Sequence, residues 1–126
     1  MELNAWILLG VKWFYNFSQK AGVHMEIIIQ LCKDKLQSHY QDHFVDLILY
    51  GSTVTHTASV DSDIDLLVLL KKPFDYFVEF RQITDLLYPI QLESERFISA
   101  RPADVEEFEQ GTIQLYRNAR REGVVF

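Results

Sequence analysis

Residues 44–70 read FVDLILYGSTVTHTASVDSDIDLLVLL, and this stretch decides the fold. Residues 44–50 have the length and the apolar character of a β-strand, which Gly51 ends. Residues 63–70 predict a second strand, and we expect it to be covered on both faces because it is almost continuously apolar after its first residues. Residues 52–62 lie between the two strands and are rich in Ser, Thr and Asp, so they predict a loop.

The spacing of apolar residues predicts two helices around these strands, at 26–40 and at 74–88. The second is expected to start behind Pro73 and to end before Pro89, because proline suits the first turn of a helix and interrupts its interior. Three of its aromatic residues recur at helical spacing and are expected to pack against the sheet: Phe74, Phe77 and Phe80. These elements flank the two strands in the chain and predict an α/β arrangement.

The last third of the chain predicts one extended segment followed by helices. Residues 90–100 are interpreted as extended, with a turn near Ser94. Residues 104–108 carry the spacing of a capping box and predict a short helix. A final helix is expected over 112–121, with Gly123 just past its end. The fold class predicted from this order is α/β, a small mixed sheet flanked by helices.

Composition limits the functions that this chain could have. The 126 residues are 48% hydrophobic and 24% charged, which is typical of one soluble globular domain. The single cysteine, Cys32, is interpreted as a small core residue, and no Cys or His spacing predicts a zinc site. Twelve Lys and Arg against eighteen Asp and Glu give a formal charge of −6. That charge argues against a groove that neutralises nucleic-acid phosphates, so we expect no direct nucleic-acid partner.

The amino-terminal residues 1–24 leave two interpretations open. Trp6, Ile7, Gly10, Phe14 and Phe17 could share one face of a short amphipathic helix. Alternatively, Met25 starts the domain and the residues before it are an extension. Lys12 interrupts the apolar run and no stretch reaches membrane length, so neither a signal peptide nor a membrane partner is expected and the predicted location is cytoplasmic.

The chemically informative residues are Gly51 and Ser52, followed after ten residues by Asp63 and Asp65. The two-residue period of a strand puts both aspartates on one face, where their mutual repulsion favours a divalent cation. Mg²⁺ is the expected ion because it prefers oxygen ligands and joins carboxylates to substrate phosphates. Gly51 allows a close backbone approach, and the Ser52 hydroxyl could hold phosphate oxygens.

This Gly-Ser, ten residues, Asp-x-Asp pattern resembles the minimal nucleotidyltransferase domains of the DNA polymerase beta superfamily. The likeness covers residues 25–126, which we therefore predict to be the nucleotidyltransferase domain. It implies Mg²⁺-dependent transfer of a nucleoside monophosphate to a hydroxyl. In that interpretation Asp63 and Asp65 are the catalytic metal ligands, while Gly51 and Ser52 hold the nucleotide.

The sequence departs from the family pattern at two positions. Family members often carry an Arg after Gly-Ser, where this chain has Thr53, so Lys71 or Lys72 is a candidate to meet the phosphate charge. Family members also often place a third carboxylate on the next strand, where the likeness puts Ser99. The expected substitute is Glu93, with Glu95 as a second candidate, although both could equally be solvated charges of an edge strand.

Within this family the short chain resembles the antitoxins that pair with HEPN-domain ribonuclease toxins. The resemblance implies transfer of AMP from ATP to a tyrosine hydroxyl of the toxin, so the predicted partners are that protein and the nucleoside triphosphate. Two alternatives stay open. One is an antitoxin that neutralises its toxin by binding alone, and the other is a nucleotidyltransferase that acts on a small molecule with a separate substrate subunit.

Overall fold

The computed structural model describes residues 23–51, 54 and 62–126. The first described helix, α1, spans Val23–Tyr40. A 3-10 turn at Gln41–His43 follows, and then come strands β1, Phe44–Tyr50, and β2, Ile64–Leu70. The expected amino-terminal amphipathic helix lies outside the described residues, as does most of the predicted loop between β1 and β2.

The carboxyl-terminal half contributes three helices and two strands to the described part of the chain. Helix α2 spans Tyr76–Glu93 and strand β3 spans Ile98–Asp104. Two shorter helices, α3 at Val105–Gln110 and α4 at Gln114–Glu122, lead to a final strand, β4, at Val124–Val125. No helix among the described residues combines the length and the apolar character needed to cross a bilayer.

The described strands form a mixed sheet in the order β3-β2-β1-β4. Strand β1 is antiparallel to β2 and to β4, whereas β2 and β3 are parallel. Strand β2 therefore has a hydrogen-bonded neighbour on each side. The predicted class, a small mixed sheet flanked by helices, is confirmed.

Helices cover both faces of the sheet, because alternate residues of β2 belong to two different clusters of buried side chains. Leu66 and Val68 pack with buried residues of α1 and α2. Leu67 and Leu69 pack with buried residues of α3 and α4. The prediction that β2 is covered on both faces is thus confirmed. Cys32 is fully buried in the first cluster, as expected, and its burial raises the pKa of the thiol to about 12.

Helix α2 is longer and shifted relative to the prediction. Its N-cap is Asp75, whose carboxylate accepts a hydrogen bond from the Val78 amide at 3.0 Å. The helix continues through Pro89 to Glu93, so the expected end before Pro89 is wrong. The extended structure predicted for 90–100 is wrong for 90–93 and is confirmed for 98–100, which begin β3. Proline removes one helical hydrogen bond, but burial of Ile83 and Leu87 against the sheet holds the helix on either side.

The aromatic residues of α2 do not all face the core. Phe74 is partly buried, whereas Phe80 is 40% exposed and Phe77 is 80% exposed. The expectation that the three pack together against the sheet is therefore wrong for Phe77 and Phe80. Ile83 and Leu87 lie on the face of α2 that packs against the sheet, and the aromatic stripe is left at the side of the helix.

We expect Leu66→Ala to lower the free energy of unfolding by about 2–5 kcal/mol, because it leaves a cavity at a fully buried position of the central strand. Leu92→Ala makes the same change on the surface of α2, where the side chain is 67% exposed, and should shift stability by no more than about 0.5 kcal/mol. Urea denaturation measures both. Equal losses in the two variants would contradict the assignment of Leu66 to the core.

Candidate active site

The candidate site lies at the amino-terminal end of β2, where Asp65 is centred between two neighbouring strands. Asp65 is in register with Tyr50 of β1 and with Ser99 of β3. All three are on the face covered by α3 and α4, since Tyr50 packs on that cluster and Leu67 and Leu69 follow Asp65 at the strand period. The described helices leave Asp65 only partly buried.

Gly51 brings the end of β1 against Asp65. Its φ is +83°, a conformation that residues with a Cβ rarely adopt, and its carbonyl accepts a hydrogen bond from the Val54 amide at 3.1 Å. A Cβ at this position would lie 2.5 Å from Asp65 Oδ2. Glycine is therefore required both by the backbone turn and by the close approach of the carboxylate.

Asp63 precedes β2 and is exposed. Burial raises the pKa of Asp65, and the negative charge of Asp63 raises it further. The guanidinium groups of Arg101 and Arg96 oppose this rise. The two aspartates therefore interact as like charges at the same end of the sheet, which is the arrangement that a divalent cation relieves.

The Arg96 side chain contacts the segment that leads into β2. Its Nε donates to the Ser62 carbonyl at 2.7 Å, and its Nη1 lies 3.3 Å from Met25 Sδ of α1. One residue later, the Phe97 carbonyl accepts from the Ile64 amide at 2.8 Å. These contacts hold the segment that carries both aspartates against the start of β3 and the start of α1.

The described residues fit a single Mg²⁺ ion and a phosphate ligand in their chemistry. Two carboxylates supply hard oxygen ligands, and Gly51 leaves the space in which a side chain would crowd Asp65. The role expected for Ser52 stays a prediction, because that residue lies outside the described part of the chain.

The third carboxylate expected near this pair is not found among the described residues, where no group of three or more His, Cys, Asp or Glu side chains is arranged to hold a metal. Ser99 is indeed the β3 residue opposite Asp65. Glu93 instead ends helix α2 and is exposed, so the expectation that it lies on an extended chain beside the aspartates is wrong. The cause is the continuation of α2 through Pro89.

The lysines expected to meet phosphate charge lie far from the aspartates. Lys72 Nζ is 2.8 Å from Asp104 Oδ2, beyond the carboxyl-terminal end of β2. Leu70, the last residue of β2, is five positions from Asp65, or roughly 16 Å along the strand. Lys72 therefore neutralises the buried Asp104 rather than the site.

Two residues near Asp65 were given no role by the sequence analysis. They are Tyr50 and Arg101. Burial raises the pKa of the Tyr50 hydroxyl, and the positive charge of Arg101 lowers it. Arg101 lies two residues beyond Ser99 on the same face of β3. The two-residue period that pairs Asp63 with Asp65 would have indicated it, had β3 been placed correctly in the sequence.

We expect Asp65→Asn to raise the melting temperature by a few degrees at neutral pH without divalent cations. The folded protein holds the Asp65 proton more tightly than the unfolded chain does, so ionised Asp65 lowers stability, and this penalty disappears as the pH falls through the raised pKa. The gain should therefore shrink towards pH 4 in thermal melts.

Added Mn²⁺ should raise the melting temperature of the wild type and leave that of Asp65→Asn unchanged, because only the wild type keeps both carboxylates. Asp46→Asn, on the same sheet face but at the far end of β1, is the matched control and should respond to Mn²⁺ like the wild type. An equal response of Asp65→Asn to Mn²⁺ would contradict the proposed metal ligand.

Comparison with known proteins gives a family for this geometry. A search of the curated proteins finds no match to the chain. Residues 29–118 match the family model described as a nucleotidyltransferase domain, and this range contains β1, Gly51, Asp63, Asp65 and β3. Proteins with this domain typically use a nucleoside triphosphate and a divalent metal ion. The match covers well over half of the chain, which belongs to the nucleotidyltransferase domain family, of the polymerase beta type.

Proposed function

We propose that this chain transfers AMP from ATP to a hydroxyl group of a partner protein. The observation that carries the proposal is the meeting of Gly51, Asp63 and Asp65 at one end of the sheet, within the region that matches the nucleotidyltransferase family. A glycine turn against a carboxylate pair is suited to bind a metal-bound triphosphate.

In the proposed reaction the acceptor oxygen forms a bond to the α-phosphorus of ATP. The bond between that phosphorus and the pyrophosphate oxygen breaks, pyrophosphate leaves with the electron pair, and the acceptor proton passes to water. Bound Mg²⁺ would polarise the phosphate oxygens and neutralise their charge. Asp63 and Asp65 would hold the ion, and Gly51 lets the end of β1 lie against Asp65.

An apolar groove at the edge of β3 supports a protein acceptor. It lies between α2 and β3, encloses about 300 Å³, and is lined among others by Phe80, Tyr88, Phe97 and Ser99. Phe97 and Tyr88 are 61% and 59% exposed, and Ser99 lies opposite Asp65 in the sheet. The groove lies on the α2 side of the sheet and reaches the β3 edge at Ser99, so an apolar segment of a partner seated here would run along the strand that neighbours Asp65. The net charge of −6 also suits a protein acceptor better than a polynucleotide.

A tyrosine of a HEPN-type ribonuclease toxin is the acceptor that we propose, on the strength of the resemblance of the short chain to antitoxins of that pairing. An added AMP would place negative charge and phosphate oxygens beside the ribonuclease site. These would repel the phosphates of RNA, by the same electrostatics that govern other phosphoryl modifications. The chain would thereby silence its partner.

Ser99, and not a carboxylate, is the residue of β3 opposite Asp65. This favours a second candidate, an antitoxin that neutralises its toxin by binding alone. A serine hydroxyl is a weaker ligand for Mg²⁺ than a carboxylate, and no third carboxylate joins the pair among the described residues. In this candidate the same surface docks the partner without modifying it.

The deciding assay mixes the purified chain, a HEPN-type ribonuclease encoded beside it, ATP and Mg²⁺, and then weighs the partner by mass spectrometry. We expect a mass increase of one AMP, which disappears with Asp63→Asn because a metal ligand is lost. Inhibition of the ribonuclease without added mass, persisting in Asp63→Asn, would establish the binding candidate and refute transfer.

The groove can be tested separately from the chemistry. Phe97→Asp should reduce modification or binding of the partner at least tenfold, because a carboxylate in an apolar groove must be desolvated when the partner docks. Phe77→Asp makes the same change at an exposed position of α2 that does not line the groove, and it should have little effect. Binding of ATP should be the same in both variants. An equal effect of the two substitutions on the partner would refute the groove as its docking site.

A further inference from the structure

In the part of the chain that the structure describes, the site presents fewer metal ligands than two ions need. Enzymes that clamp a transferring phosphoryl group between two metal ions place the ions about 4 Å apart and share carboxylates between them. Here Asp63 and Asp65 interact as like charges at one end of β2, and Ser99 is the residue of the next strand opposite Asp65. Among the described residues no further acidic or histidine side chain completes a second set of ligands.

The next residue on the same face of β3 is a cation. Arg101 pairs in register with Leu67, so it lies two positions from Ser99 and, diagonally, one strand from Asp65. Two residues along a strand span about 6.6 Å and neighbouring strands are about 4.8 Å apart, so an extended arginine side chain can reach the ligand space beside Asp65. The electrostatic influence of Arg101 on both Asp65 and Tyr50 is consistent with that proximity.

Arg101 is available for a ligand. Its side chain is exposed, and no residue that the structure describes forms a hydrogen bond or an ion pair with its guanidinium group. Lys72, by contrast, is paired with Asp104 at the other end of β2. Arg96 donates a hydrogen bond to the backbone carbonyl of Ser62 and so holds the chain that enters β2. Arg101 is therefore the cation on this face best placed to meet the charge of a phosphate group.

We propose that the site binds one divalent cation rather than two, and that the Arg101 guanidinium contacts the phosphate oxygens of the nucleotide in place of a second ion. The proposal rests on the proposed nucleotide-binding function. A guanidinium group can give two parallel hydrogen bonds to phosphate oxygens, and its charge is permanent, so it can stabilise the negative charge that builds up on the leaving pyrophosphate. Arg101 would be a residue of the phosphate site that the family pattern does not place on this strand.

The test counts metal ions and measures nucleotide affinity on the full chain. The probe is α,β-methylene ATP, which binds without being cleaved, titrated together with Mn²⁺ in isothermal titration calorimetry. We expect one Mn²⁺ per chain in the wild type. Ser99→Asp supplies the missing carboxylate and should raise the number to two.

Arg101→Gln should weaken binding of the analogue by about 10- to 100-fold, the usual effect of losing a charge-assisted hydrogen bond, and leave one Mn²⁺ per chain. Arg101→Lys keeps the charge without the paired donors and should recover part of the affinity. Arg81→Gln removes an exposed arginine of α2 and is the matched control, with unchanged affinity expected. Thermal melts confirm that each variant is folded.

The outcomes separate this inference from the proposed function. Two Mn²⁺ per wild-type chain, or full affinity in Arg101→Gln while the wild type binds the analogue, would overturn the role of Arg101 and leave nucleotide transfer standing. Failure of the wild type to bind the analogue at all would overturn both.

Discussion

The central strand of this protein must be buried on both faces and must also present a carboxylate to solvent at one end. Leu66 to Leu70 meet the first demand, since each is almost fully buried between the two helical layers. Asp65 meets the second at the point where the helical cover ends. Every other feature of the site follows from this transition. Gly51 lacks a side chain because Asp65 occupies the space, and Arg96 holds the segment that leads into the strand.

Much of the fold could be predicted because the strongest sequence signals coincide with complete elements. Strand β1 has the predicted bounds, and β2 and α1 differ from the prediction by one residue and by a few residues at their starts. Helix α2 differs from its prediction because proline predicts a helix end from local geometry alone, whereas burial of Ile83 and Leu87 outweighs the lost hydrogen bond. The two-residue strand β4 has no periodicity to detect and exists because it pairs with β1.

The candidate site was predictable to the extent that it depends on spacing along one strand. Asp63, Asp65 and Gly51 come from a contiguous pattern, and the structure brings them together. Arg101 follows from the strand period only once β3 is placed, since it lies two residues beyond Ser99, and the incorrect end of α2 left the bounds of β3 unpredicted. The choice of Glu93 failed for the same reason, since an error in the end of α2 moves every residue that follows to a different element.

Strand β3 lies at the edge of the sheet formed by the described strands, and its outward-facing backbone groups limit how a further strand could pair with it. The Ile98 amide, which points away from β2, donates to Gln91 Oε1 at 2.7 Å, and Pro102, two strand periods further on, has no amide hydrogen to offer. Such an edge lacks a continuous row of free backbone amides with which an incoming strand could pair. This disfavours the edge-to-edge strand pairing between molecules that leads to aggregation. A partner of the kind proposed for the neighbouring groove would therefore be held by contacts between side chains and not by strand pairing with β3.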